Sequence, residues 1–88
     1  MADKRVAIIG AGSSGAGWGN GKATAVLFAR EGAKVLCVDR VAQAAEETAD
    51  LIRNEGGIAE TAVADVSDPD AGEQVADRAK SLWGGLDV

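Results

Sequence analysis

Six of the twelve residues from Gly10 to Gly21 are glycine, in the run GAGSSGAGWGNG. Glycine gives up more conformational freedom on folding than any other residue, so such a cluster is either slack or shaped around something. The chemistry it suits is anion binding. Phosphate oxygens must come within hydrogen-bond reach of backbone N–H groups, and a Cβ would stand in the way. A helix that starts at the same place adds unpaired N–H groups and a partial positive charge. Two carboxylates lie downstream, Asp39 at the end of KVLCVD and Asp65 at the end of a run that begins at Ile58. Histidine and tyrosine are both absent from the 88 residues. Imidazole metal sites, histidine-based triads and a tyrosine acid are therefore excluded within this sequence, and no catalytic or metal-ligating residue is assigned. Carboxylates, lysines, hydroxyls and backbone remain.

These groups need elements to position them. Val6-Ala7-Ile8-Ile9 is a short, continuously apolar run ending at Gly10, the pattern of a strand buried on both faces. From about Asn20 to Glu31 the pattern turns helical, with Ala23, Val26 and Leu27 on one face, and Gly32 is placed to stop it. Lys34 to Asp39 is a second apolar run. Val41 to about Asn54 reads as a helix with Ala44, Thr48, Leu51 and Ile52 on its stripe, ended by Gly56-Gly57. Ile58 to Asp65 is a third strand, weakened by Glu60 and Thr61. Ser67-Asp68-Pro69-Asp70 then opens a third helix, with Ser67 as its cap, Pro69 in the first turn and Asp70 at capping-box spacing. Ala71, Val75, Ala79 and Leu82 form its buried face, and Gly84-Gly85 ends it.

Strands and helices alternating at this spacing imply βαβ units and a parallel sheet with right-handed crossovers. The expected fold is α/β, the N-terminal βαβαβα half of a Rossmann-type doubly wound parallel sheet. Leu86-Asp87-Val88 reads as the start of a fourth strand, which in the order 3-2-1-4 pairs with strand 1. Residues 1–88 are thus expected to be a partial dinucleotide-binding domain, cut at the start of strand 4.

The totals narrow the partners. The net charge is −5 and no basic cluster occurs, so nucleic acid is not an expected partner. No apolar run approaches the length of a membrane span, and the first residues do not resemble a secretory signal. A single cysteine, Cys37, fits a reducing cytoplasm.

The glycine run admits three readings. Gly10, Gly12 and Gly15 make G-x-G-x-x-G, the flavin or dinucleotide form with the helix starting at once. Gly17, Gly19 and Gly21 would then each cost about 1 kcal/mol in the helix relative to alanine. Gly21-Lys22 invites a P-loop, but Ala16 and Ala23 stand where that motif needs glycine and a hydroxyl. The third reading starts the helix at Gly19-Asn20-Gly21.

In this third form the sequence resembles the short-chain dehydrogenase/reductase family. GNGKATAVLFAREGAKVLCVDR is similar to the family's stretch after its T-G-x-x-x-G-x-G motif, with Gly10, Gly19 and Gly21 at the motif glycines. ADVSDP at Ala64–Pro69 resembles the segment after strand 3, and GGLDV at Gly84–Val88 the approach to strand 4. The resemblance covers the whole chain. Two departures stand out. Ile9 occupies the position of the motif's threonine, and the interval from Gly10 to Gly19 is about five residues longer, so that residues 14–18 read as an insertion.

The resemblance implies a nicotinamide dinucleotide cofactor, with hydride passing between it and a small carbonyl or alcohol substrate in the complete, homo-oligomeric protein. Together with the chemistry of the residues themselves, it gives candidate cofactor contacts at Gly10, Gly12, Ser13, Ser14, Gly19, Asn20, Gly21, Asp39, Arg40, Asp65 and Val66, where Ser13 and Ser14 donate to phosphate or only keep the loop polar. The family's catalytic serine, tyrosine and lysine come later in its chain, so these 88 residues alone are expected to be inactive. Asp39 follows Gly21 by eighteen residues, near the spacing at which an acid reads the adenine ribose. Its charge favours NAD over NADP, and Arg40 argues the other way. Asp65 with Val66 is similar to the pair that meets adenine, or else it belongs to the start of the third helix. Lys22 lies near phosphate or is simply solvated. Two other functions stay open: a non-catalytic nucleotide-binding module, and a flavin-dependent oxidoreductase built on Gly10, Gly12 and Gly15.

Overall fold

A computed structural model describes residues 4–11, 20–65 and 67–87 of the chain. The elements alternate: β1 (Arg5–Ile9), α1 (Asn20–Arg30), β2 (Lys34–Asp39), α2 (Ala42–Asn54), β3 (Ile58–Val63) and α3 (Ala71–Trp83). The three strands form one parallel sheet in the order β1-β2-β3. This is the 3-2-1 half of a doubly wound sheet.

The register fixes which residues meet at the sheet's C-terminal edge. Ile9 lies opposite Val38, and Asp39 opposite Val63. Ala64 donates its N–H to the Asp39 carbonyl at 3.1 Å, so pairing runs one residue past β3. Gly10, Asp39 and Ala64 therefore emerge at nearly the same level.

β2 is the middle strand, and helices cover both its faces. Val35 and Cys37 pack with Val6, Ala25, Val26, Ala45, Ala49 and Ile52. Leu36 and Val38 pack on the other side with Ala71, Val75 and Ala79 of α3. All four β2 residues from Val35 to Val38 are sealed from solvent, which is why this run carries no polar alternation.

The helix faces depart from expectation. α1 buries Ala25 and Val26, with Phe28 and Ala29 packed beside them, while Ala23 is exposed and Leu27 is 60% exposed. The rotation follows from Gly21, which presses on the end of β1. Positions 21, 25 and 29 recur at a spacing of four and so face the sheet together. α2 buries Ala45, Thr48, Ala49 and Ile52, with Ala44 and Leu51 only half-buried, and Val41 stands before its first residue as an exposed N-cap.

The start of α3 also differs. The helix begins at Ala71, so Pro69 lies in the turn ahead of it, and Asp70 makes no side-chain cap. The lead-in is held instead by Asp68, whose Oδ1 accepts the Asp70 N–H at 2.9 Å. The Ser67 hydroxyl is spent on Asp65, at 2.8 Å. The helix ends as expected at Gly84, with φ of 81° and its N–H given to the Lys80 carbonyl.

Beyond α3 the chain returns to β1. Lys34 donates to the Lys4 carbonyl, so the N–H and C=O of Arg5 point away from β2. Asp87 meets both of them, giving its N–H to the Arg5 carbonyl at 2.8 Å and accepting the Arg5 N–H on Oδ2 at 2.9 Å. Leu86-Asp87 thus lies beside the free edge of β1, where a fourth strand was expected to begin.

Candidate functional site

The turn after β1 is built on two glycines with different reasons to be glycine. Gly10 has φ of +71° and nothing within 4 Å of where a Cβ would stand. Its requirement is conformational, because this backbone region disfavours side chains. Gly21, in the first turn of α1, has no room instead. A Cβ there would collide with the Gly10 carbonyl, 2.7 Å from its carbon and 3.2 Å from the Ala11 nitrogen. The helix start is thereby brought onto the end of β1, the close approach that a phosphate-binding turn needs.

Ala11, which follows the turn, is fully buried. Its N–H donates to the Val38 carbonyl at 3.0 Å. Its carbonyl accepts from the Thr48 hydroxyl of α2 at 2.8 Å. Sequence reasoning placed Thr48 only on an apolar stripe. The available signal was a hydroxyl at a position where Ala45, Ala49 and Ile52 are otherwise apolar.

Asp39 and Arg40 leave β2 at the same edge. Asp39 Oδ1 accepts the Val41 N–H at 3.0 Å, turning the chain into α2. Asp65, exposed beyond β3, accepts two hydrogen bonds from Ser67 on Oδ1, from the backbone N–H at 2.9 Å and the hydroxyl at 2.8 Å. These bonds, backbone first, hold its carboxyl below the ordinary value, and the positive charge of Arg40 adds to the effect. Asp65 therefore holds the turn ahead of α3 through Ser67 and does not cap that helix, whose N-cap position is Asp70.

Gly10, Gly21, Asp39, Arg40 and Asp65 gather at the C-terminal edge of the sheet, where ligands of doubly wound folds bind. Asn20 opens α1. Gly12, Ser13, Ser14, Gly19 and Val66 lie outside the described residues. A separate cavity of about 530 Å³ runs along the α3 face, lined by Ala7, Ile9, Val38, Ala64, Val75 and Leu86 among others. Its wall is largely carbon and carries Asp68, which repels phosphate. Among the described residues there is no cluster able to hold a metal ion and no helix long and apolar enough to cross a membrane.

Comparison with known proteins agrees with this geometry. The model of the family described as short chain dehydrogenase matches residues 4–88. The chain is 44% identical over 75 residues to the uncharacterized oxidoreductase YxbG of Bacillus subtilis, covering 85% of this chain and 28% of that protein. It is 39% identical over 87 residues to versicolorin reductase stcU of Emericella nidulans, covering 98% of this chain and 31% of that one. Among solved structures, hydroxysteroid dehydrogenase from Escherichia coli superposes with a TM-score of 0.88 at 35% identity, over 98% of this chain and 34% of its own. A metagenomic short-chain oxidoreductase in complex with NADP gives 0.87 at 26% identity, over 100% and 38%. The chain spans about a third of the length of these relatives. With the family's model covering nearly every residue, and the glycine turn, parallel sheet and strand-end acids in the expected order, the chain belongs to the short chain dehydrogenase family.

Proposed function

We propose that this chain supplies the adenosine-side cradle for NAD in an oxidoreductase that interconverts a carbonyl and an alcohol. The observation that carries the reading is the contact between Gly21 and the Gly10 carbonyl, which sets a helix start against a left-handed turn at the sheet edge. The oxidoreductase names of the relatives support the reaction class. The nicotinamide ring, when bound, supplies hydride transfer. The residues of this chain bind and orient the other end of the cofactor. The turn at Gly10 and the start of α1 receive the pyrophosphate, Asp39 accepts from the ribose hydroxyls, and Asp65 stands toward adenine with Val66.

NAD is favoured over NADP because a 2′-phosphate would meet the Asp39 carboxylate. Charged hydrogen bonds from the ribose are worth roughly 1.5–3 kcal/mol. Arg40, next to Asp39 at the end of β2, is the residue that argues for a phosphate, and Asp65 brings a second negative charge near it. No tyrosine occurs in the sequence, and the chain by itself is proposed to bind without turnover.

The test is to titrate NAD and NADP into the isotope-labelled chain and follow backbone amide shifts. NAD should move Gly10, Ala11, Gly21, Asp39 and Asp65 at millimolar concentrations, and NADP should do so more weakly. Tighter binding of NADP would overturn the selectivity. Silence at these amides would overturn the site, and formation of NADH from an alcohol would overturn the claim of inactivity.

A further inference from the structure

The residue on either side of a tight turn decides how firmly the turn is held. Before Gly10, Ile9 is 51% exposed and has no polar side-chain atom. After it, Ala11 has no side-chain polarity either, yet both its backbone groups are tied. Its N–H goes to β2 and its carbonyl to Thr48, in the second turn of α2 and 37 residues away. Thr48 is fully buried, as is Ala11, so water cannot stand in for either partner.

The hydroxyl has one proton to give. Among the described residues two carbonyls lie within its range, Ala11 at 2.8 Å and Ala44 at 3.4 Å. The shorter contact takes the proton. The bond therefore serves the turn rather than closing locally on its own helix, as serine and threonine hydroxyls in helices otherwise do. Since peptide units are planar, fixing the Ala11 carbonyl and N–H fixes both peptide planes that meet at Ala11, and with them the direction in which the chain leaves Gly10.

We infer that Thr48 is a positioning residue for dinucleotide binding: from α2 it holds the Ala11 carbonyl and so presets the Gly10 turn for the cofactor's pyrophosphate. This rests on the reading of the turn as a dinucleotide cradle. α2 is thereby more than a crossover helix, because its hydroxyl couples the packing of the sheet's α1/α2 face to the geometry of the site. A valine of the same shape fills the space of Thr48 but leaves the buried Ala11 carbonyl without a donor among the described residues, and the turn relaxes.

The experiment compares Thr48→Val, Thr48→Ser and Ala79→Gly, the last on α3 across the sheet, with the unsubstituted chain. The readouts are NAD affinity from amide shifts, hydrogen exchange at the Ala11 amide, and melting temperature. Thr48→Val is expected to weaken NAD about five- to tenfold, the scale of one lost net hydrogen bond, and to speed exchange at Ala11. Thr48→Ser restores both. Ala79→Gly lowers the melting temperature and leaves affinity unchanged. NAD affinity unaltered by Thr48→Val, or weakened equally by Ala79→Gly, overturns the inference while leaving the cradle reading intact. If the unsubstituted chain shows no NAD binding, the cradle reading fails and takes the role of Thr48 in binding with it.

Discussion

Gly21 meets Gly10 with no space for a methyl group between them, while Gly10 has open space and a backbone that a side chain resists. Substitution should separate these causes. Gly21→Ala forces α1 away from β1 and is expected to cost about 1–3 kcal/mol, as overpacking does. Each kcal/mol lowers the melting temperature by about 4–8 °C in a domain of this size. Gly10→Ala carries only the left-handed penalty of about 1–2 kcal/mol, and Gly10→Asn less, because asparagine enters that region more readily. Thermal melts decide the matter. Equal costs for Gly10→Asn and Gly10→Val would contradict a conformational origin.

Asp87 and Arg5 join the two ends of the chain. Oδ2 of Asp87 accepts from the Arg5 backbone and from Nε at 3.1 Å, and Oδ1 accepts from Nη2 at 3.2 Å. Nη1 of Arg5 reaches the Trp83 carbonyl at the end of α3. The side-chain bond to Arg5, then its backbone N–H, holds the Asp87 carboxyl down at about 2 against an ordinary 3.8. A depressed carboxylate stabilises the fold above its unfolded value and loses that contribution as pH falls from 3.8 through about 2. Asp87→Asn should therefore melt lower than the unsubstituted chain near neutrality, and the gap should close across that window. A gap constant with pH would contradict the pairing. Residual acid sensitivity in the variant is expected from Glu55 beside Arg30 and from Asp65 beside Ser67, both also held below their ordinary values.

Legibility followed contrast. β2 was readable because a middle strand covered on both faces must be apolar at every position from Val35 to Val38, and its parallel partners bring Gly10, Asp39 and Asp65 to one edge by register alone. The faces of α1 and α2 were not. Alanine occurs at positions 23, 25 and 29 of one helix and at 42, 44, 45 and 49 of the other, so hydrophobicity barely distinguishes one stripe from the next. The close approach at Gly21 and the packing of Ala45 and Ala49 make the choice. The start of α3 was misplaced because Ser67, Asp68 and Asp70 can all cap locally, and a bond to Asp65 removes Ser67 from the competition. Thr48 was hidden for another reason: its partner Ala11 lies in a different βα unit, and no local pattern encodes that bond.

Cys37 offers a direct reading of global opening. Its thiol is fully buried in mid-strand, and burial pushes it up to about 12, opposed by the charge of Arg53. Reaction requires the thiolate and access, and the folded state supplies neither. A disulfide reagent should label Cys37 at a rate that follows the unfolded fraction as denaturant is raised. Rapid labelling without denaturant would mean that β2 opens locally.

The outer edge of β3 is covered by two guanidinium groups, one from each face of the sheet. Ala59 and Thr61 turn their carbonyls away from β2. Arg53 of α2 donates Nε to the first at 3.0 Å, and Arg78 of α3 donates Nε to the second at 3.0 Å. Glu60 lies between them, 3.5 Å from Arg53 and 3.9 Å from Arg78. Glu46 holds Arg53 and accepts from the Thr61 hydroxyl. Half-exposed ion pairs of this kind contribute only about 0–1 kcal/mol each, so their loss should scarcely move the melting temperature. An uncovered strand edge, in contrast, is a template for pairing with another chain. Arg53→Ala with Arg78→Ala is therefore expected to raise concentration-dependent association, measured by sedimentation, well above that of the unsubstituted chain, with each single substitution giving less. Association unchanged in the double variant would mean that the twist of β3, and not these guanidinium groups, keeps that edge apart from its neighbours.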